Sequence, residues 1–162
     1  MHAASHPGDV RFSIREYSPA DFDALWHLDQ LCFPEGISYT RPELNSFISR
    51  RNAVTLVAEH ERNSQSNIAG FVVAHAIREK YGRVVTLDVV PEVRRHGLAT
   101  TLMHACEERL RAAGCREVYL ETAVDNRPAL RLYVKLGYEV LGVLPEYYTT
   151  HSLDAFQMGK RL

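Results

Sequence analysis

Cysteine is scarce in this chain: Cys32, Cys106 and Cys115 are the only three in 162 residues. The number is odd, no pair has Cys-x-x-Cys spacing, and all three fall among apolar neighbours. Those features argue against a disulfide framework or a zinc site and predict reduced core thiols. None is matched with a plausible histidine base, which argues against a cysteine nucleophile. Charge of one sign is also missing, since 19 Lys and Arg face 20 Asp and Glu for a formal charge of -1. No global field draws such a chain onto nucleic acid or an anionic membrane, so neither is an expected partner and any positive site must be local.

Long apolar runs are absent too. The most apolar stretch, "IAGFVVAHAI", is too short to cross a bilayer, and the opening "MHAASHPGDV" has no apolar core of the kind a secretory signal needs. The expected location is the cytoplasm. His75, His96, His104 and His151 show neither HxxxH nor HExxH spacing, so no metal is expected. Nor is there an internal repeat, a low-complexity tract or a linker. A composition of 46% hydrophobic and 24% charged residues suits one domain over 1–162, with residues 1–10 as a flexible N-terminus.

What is present alternates between strand and helix. "RFSIREY" reads as a strand, and "SPADFDALWHLDQLCF" as a helix capped by Ser18 with Pro19 in its first turn. "RPELNSFISRR" reads as a second helix. "AVTLVAEHE" and "IAGFVVAHAIRE" read as strands joined by a hairpin loop, "RNSQSN", and "YGRVVTLDVV" as another strand. From Gly97 the residues Leu98, Leu102, Ala105, Cys106, Leu110 and Ala113 share one helical face, and Gly114 stops the helix. "REVYLETAV" is the next strand. Asn126 then caps a helix with Pro128 near its first turn and an apolar stripe of Ala129, Leu132, Tyr133 and Leu136, closed by Gly137. Two strands follow, the second being "DAFQMGKRL".

One stretch carries unusual chemistry. "VVPEVRRHGLATTLMHA" gathers two arginines and a histidine before a glycine at the mouth of a helix, where free N–H groups and the macrodipole suit an anion. A solvated basic helix cap would look the same. A P-loop needs GxxxxGK[ST] and a dinucleotide fingerprint needs GxGxxG, and neither spacing occurs.

The turn reads Arg94-x-x-Gly97-x-Ala99, and some two dozen residues later comes "DNRPALRLYVKLGY". Together, in this order, they resemble the GNAT superfamily of acetyl-CoA-dependent N-acetyltransferases. That family's cofactor loop is Gln/Arg-x-x-Gly-x-Gly/Ala, and its later motif is Asn-x-x-Ala-x-x-Leu-Tyr-x-x-Leu-Gly-Phe/Tyr. The resemblance spans residues 11 to 162. It implies an α/β fold, with a mixed central sheet of about six to seven strands flanked by about four helices and splayed at the fourth and fifth strands. "CFPEGISY", "YLETAVDN" and "EYYTTHSLDAFQMGKRL" are most similar to the protein N-terminal acetyltransferases, especially the ribosomal-protein-alanine type. Many of that group have Trp or Val after Phe-Pro where this chain has Glu35-Gly36, which leaves the choice of acceptor open.

The resemblance implies acetyl-CoA as co-substrate. Main-chain N–H groups of Arg95, Gly97, Leu98, Ala99 and Thr100 would face its pyrophosphate, with Arg94 and Arg95 adding attraction. Leu87, His96, Asn126 and Ala129 would complete the cofactor site. A backbone N–H of Val89 or Val90, at a bulge that the family implies, would polarise the acetyl carbonyl. Tyr133 would protonate the leaving thiolate, and Glu121 would act as general base through a water. Phe33, Pro34, Ile37, Tyr39 and Tyr147 would wall the acceptor site. The implied acceptor is a protein or peptide N-terminus, with a small-molecule amine or a lysine as the alternative, and the implied state is a monomer or weak homodimer. A non-catalytic acyl-CoA-binding module is the remaining alternative. Taken singly, Tyr133 on an apolar stripe reads as core, Glu121 in an alternating strand as an edge charge, and Tyr39 and Tyr147 as packing.

Overall fold

The computed structural model describes residues 11–62, 65–78, 80–94, 96–149 and 152–162. The expected flexible stretch 1–10, the cofactor residue Arg95 and His151 lie outside the described residues. The chain runs β1 (Phe12–Glu16), α1 (Phe22–Cys32), α2 (Arg41–Ile48), β2 (Ala53–Arg62), β3 (Gln65–Ile77), β4 (Tyr81–Val89), α3 (Leu98–Ala112), β5 (Glu117–Ala123), α4 (Arg127–Lys135), β6 (Glu139–Tyr148) and β7 (Leu153–Arg161). The elements match the expected alternation, with shifts at their ends. Ser18 caps a 3-10 turn, Pro19–Asp21, and the α-helix begins only at Phe22. Strands β2 and β3 extend to Arg62 and from Gln65, so the polar stretch expected as a loop is mostly strand.

One seven-stranded sheet has the order β1-β2-β3-β4-β5-β7-β6, and its pairings are antiparallel except for β4 with β5. That parallel pair is brief, joining Tyr81–Arg83 to Glu117–Tyr119. Its brevity has a local cause. In the β3–β4 ladder Val73 faces Thr86 while Ala74 faces Val84, which leaves Val85 as an extra residue in β4. Such a bulge bends its strand and increases its twist, so β4 parts from β5 beyond Arg83. β5 meanwhile stays paired with β7 along its length. The sheet is therefore splayed between its fourth and fifth strands.

Helices cover both faces. On one, Leu98, Leu102, Met103, Cys106 and Leu110 of α3 pack on Leu56, Val72, Ala74 and Val84. Leu25 and Leu28 of α1 and Leu44 of α2 cover Val57, Phe71 and Val73 on the other. Burial on this scale, at about 1.5–3 kcal/mol for each large apolar side chain, is what holds the two layers to the sheet. Glu107 is buried on the core face of α3, where apolar patterning would not place it. Its carboxylate accepts from Tyr138 Oη at 3.1 Å and pairs with Lys160 Nζ at 2.9 Å, which satisfies the charge.

Candidate active site

The splay turns the end of β4 into a wall. Val90 N–H donates to Ala69 O at 2.8 Å, on the β3 side. Because N–H directions alternate along a strand, the N–H of Val89 points the other way, toward the gap left by β5. This corrects one expectation: of the two candidates for polarising a carbonyl, Val90 has its N–H committed to the sheet. Val89 O accepts from Arg94 Nε at 3.1 Å, which folds Arg94 back along the end of the strand.

Past Arg94 the chain reaches Gly97, the N-cap of α3, at φ +75. Only glycine adopts this left-handed region without strain, and among the described residues nothing lies within 4 Å of a Cβ placed there, so conformation rather than crowding calls for glycine. A cavity of about 720 Å³ opens in front of this turn. Leu87, Val89, Arg94, Gly97, Leu98, Ala99 and Thr100 line one side of it, and Asn126, Ala129 and Tyr133 the other. Of the expected cofactor residues, Val90 and His96 do not line it; His96 is exposed to solvent. Arg131 and Lys135 on α4 do line it, two cations that the apolar-stripe reading of that helix passed over. Asn126 shapes the opposite wall by accepting from Ala129 N–H at 3.3 Å, a side-chain cap that starts α4.

Tyr133 joins this cavity to a second of about 370 Å³, which also contains Phe33, Pro34, Ile37, Tyr39, Glu121 and Tyr148. Tyr133 is 8% exposed, and its ring meets Tyr138 edge-on with centroids 5.8 Å apart. Its hydroxyl makes no hydrogen bond to any described residue. Burial, and then the nearby carboxyl of Asp88, push the phenol above its ordinary pKa, so it holds its proton firmly. Glu121 stands across the gap on β5. Its Oε2 accepts from Arg83 Nε at 3.2 Å, and Arg83 Nη2 donates to Tyr147 Oη at 3.2 Å. A charged pair thus bridges β4 and β5 at the point where the two strands part. A third cavity of about 840 Å³ continues outward past Glu121, Arg83, Tyr39, Tyr147 and Tyr148. Tyr39 is fixed there by four bonds: its Oη donates to Val85 O at 3.3 Å and its N–H to Asp29 Oδ2 at 2.7 Å, while Trp26 Nε1 at 3.1 Å and Gln30 Nε2 at 2.8 Å donate to its carbonyl.

Phe33, Pro34, Ile37, Tyr39, Glu121, Tyr133 and Tyr147, distant in sequence, therefore line one connected space. Four of its neighbours were not singled out in the sequence: Arg83, Tyr148, Asp29 and Asp88. Arg83 left one signal, a lone cation in the apolar run "YGRVVTLDVV". Cys32 corrects an expectation. Cys106 and Cys115 are buried, but the half-buried Cys32 faces two of the cavities and donates to Val89 O at 3.4 Å. Burial and Asp88 push its thiol up to about 11, so it stays protonated.

A model of the acetyltransferase (GNAT) family matches residues 22–138. An N-alpha-acetyltransferase of Sulfurisphaera tokodaii is 28% identical to this chain over the full length of both. Ribosomal-protein-S18-alanine N-acetyltransferase from Escherichia coli has the same fold, with a TM-score of 0.80 at 20% identity over 93% of this chain and 94% of that one. So does Arabidopsis thaliana NAA60 in complex with acetyl-CoA, with a TM-score of 0.82 at 22% identity over 94% of this chain and 99% of that one. Among the described residues, no helix is long and apolar enough to cross a membrane.

Proposed function

Because the chain belongs to the acetyltransferase (GNAT) family, and is thus an acyltransferase enzyme, we propose that it transfers the acetyl group of acetyl-CoA to the α-amino group of a protein or peptide N-terminus. The observation that carries this reading is the connected space in which Tyr133 stands between the turn at Gly97 and the carboxylate of Glu121. The full-length likeness to an N-alpha-acetyltransferase supports the choice of acceptor, and the NAA60 complex supports that of donor.

The cradle fits a pyrophosphate. The first turn of α3 offers unpaired N–H groups, the open space beside Gly97 lets an anion come close, and Arg94, Arg131 and Lys135 supply positive charge around it. Bound there, acetyl-CoA supplies a thioester whose carbonyl the Val89 N–H is aimed to polarise. Glu121, held by Arg83, accepts a proton from the incoming ammonium through a water, and Tyr133 gives one to the leaving thiolate. An α-amino group with an ordinary pKa of about 7.7–8.0 is partly neutral at physiological pH, whereas a lysine near 10.4 demands far more of a base. A site with one half-buried carboxylate, already paired with an arginine, suits the easier amine.

Incubating the enzyme with acetyl-CoA and a mixture of N-terminal peptides, internal-lysine peptides and small amines, read by mass spectrometry, tests this directly. Acetylation of free N-termini is expected, and exclusive acetylation of lysine or of small amines overturns the choice of acceptor. The donor half has its own test in Gly97→Val. A β-branched residue is strained at φ +75 and its methyl groups project into the cradle, so acetyl-CoA affinity should fall more than tenfold, above about 1.4 kcal/mol. Titration calorimetry on folded protein measures the loss, and unchanged affinity would remove the pyrophosphate from this turn.

A further inference from the structure

Asp29 on α1 and Asp88 on β4 are both shut away from water, 0% and 1% exposed, and among the described residues neither carboxylate forms an ion pair with a cation. Each has one satisfied oxygen. Asp29 Oδ2 accepts from Tyr39 N–H at 2.7 Å, and Asp88 Oδ1 accepts from Thr86 Oγ1 at 2.6 Å. The remaining oxygens, Asp29 Oδ1 and Asp88 Oδ2, have no donor among the described residues, and the two carboxyls lie within hydrogen-bond reach of one another. Two ionised carboxylates in contact without water would repel strongly, whereas one proton between them makes a hydrogen bond that satisfies both orphan oxygens.

We propose that Asp29 and Asp88 share a single proton and act as a positioning pair, fastening the acceptor wall at Tyr39 to the strand that carries Val89. The inference rests on the reading of that wall as the acceptor side. The fastening joins what the splay separates: Asp88 lies between Leu87 and Val89, which line the donor cavity, while Asp29 reaches Tyr39, which lines the acceptor cavity. Five other titratable groups face the pair. Glu43 on α2 adds negative charge near Asp29, Arg94 adds positive charge near Asp88, and Cys32, Tyr39 and Tyr133 face it as neutral acids. Desolvation and mutual repulsion outweigh Arg94, so Asp88 holds its proton well above the usual carboxylate range. Since this proton is bound more tightly in the folded than in the unfolded chain, the pair stabilises the fold most at low pH. That stabilisation is lost as pH rises through the folded value.

Asp88→Asn keeps a donor toward Asp29 and an acceptor toward Thr86 but cannot become a second charge. Melting temperature and hydrogen exchange of the Tyr39 amide, followed from pH 4.5 to 9.5 in both proteins, decide the matter. In the unsubstituted protein the Tyr39 protection factor, corrected for intrinsic exchange, should fall by up to about tenfold per pH unit once the shared proton is lost. In Asp88→Asn it should stay level, and that variant's melting curve should overtake the original as pH rises. Parallel melting profiles, or equal pH dependence of Tyr39 protection, would overturn the shared proton. Peptide turnover is read separately: acceptor KM should rise with pH in the original enzyme alone, with kcat little changed. If no peptide is acetylated while the exchange difference stands, the acceptor reading fails and the fastening survives.

Discussion

Tyr133→Phe should lower kcat by about 10²–10⁴ while leaving acetyl-CoA affinity nearly unchanged. The substitution keeps the ring, and with it the edge-on contact to Tyr138 and the wall between the two cavities. It deletes only a hydroxyl that makes no hydrogen bond to any described residue, so no structural partner is orphaned and the fold should be little disturbed. This is what separates an acid from a core tyrosine. A core hydroxyl this deeply buried would ordinarily be satisfied, whereas this one faces open space where a leaving group can arrive. Burial strengthens the phenol's hold on its proton, which suits a donor that acts only when the C–S bond breaks and a basic thiolate appears. Single-turnover acetyl transfer beside calorimetric binding of acetyl-CoA checks both halves. Near-normal kcat in Tyr133→Phe would return the residue to packing and leave the thiolate to take its proton from water.

Much of this arrangement could be read from the sequence, and the rest could not for identifiable reasons. The helix stops at Gly114 and Gly137, the cap at Asn126 and the apolar face of α3 are local, and local chemistry is written in neighbouring residues. The residues lining the cavity at Gly97 were legible because they cluster in two short motifs. The splay was available only through resemblance, since a one-residue bulge at Val85 leaves no mark on the pattern "YGRVVTLDVV". Arg83 and Asp88 were missed on the same strand. Each looks like a solvent-facing charge, and only the pairing of β4 with β5, and of β4 with α1, turns them toward Glu121 and Asp29. Cys32 was misread as core because its neighbours are apolar, yet the cavity walls are apolar too.

Glu121→Gln should cost about 10² in kcat/KM at pH 6.5 and much less at pH 9, a dependence that the Tyr133→Phe defect should not share. A peptide α-amine with a pKa near 7.7–8.0 is only about one-twentieth neutral at pH 6.5, so without a base the enzyme must wait for the rare neutral form. Above pH 8 bulk water has already done the base's work, and the loss shrinks to whatever Glu121 contributes by orientation. Arg83 sharpens the expectation. Its guanidinium is half-buried and held to Glu121 at 3.2 Å, so the neutral amide leaves a positive charge facing the incoming amine. That charge repels an ammonium and tolerates a neutral amine, which steepens the rise of activity with pH. A cycle with Arg83→Gln isolates this effect: if the two residues act as one unit, the double variant should recover part of the Glu121→Gln loss at low pH rather than add to it. Strict additivity would separate Arg83 from the base, and a Glu121→Gln enzyme with the original pH profile would remove Glu121 from proton transfer.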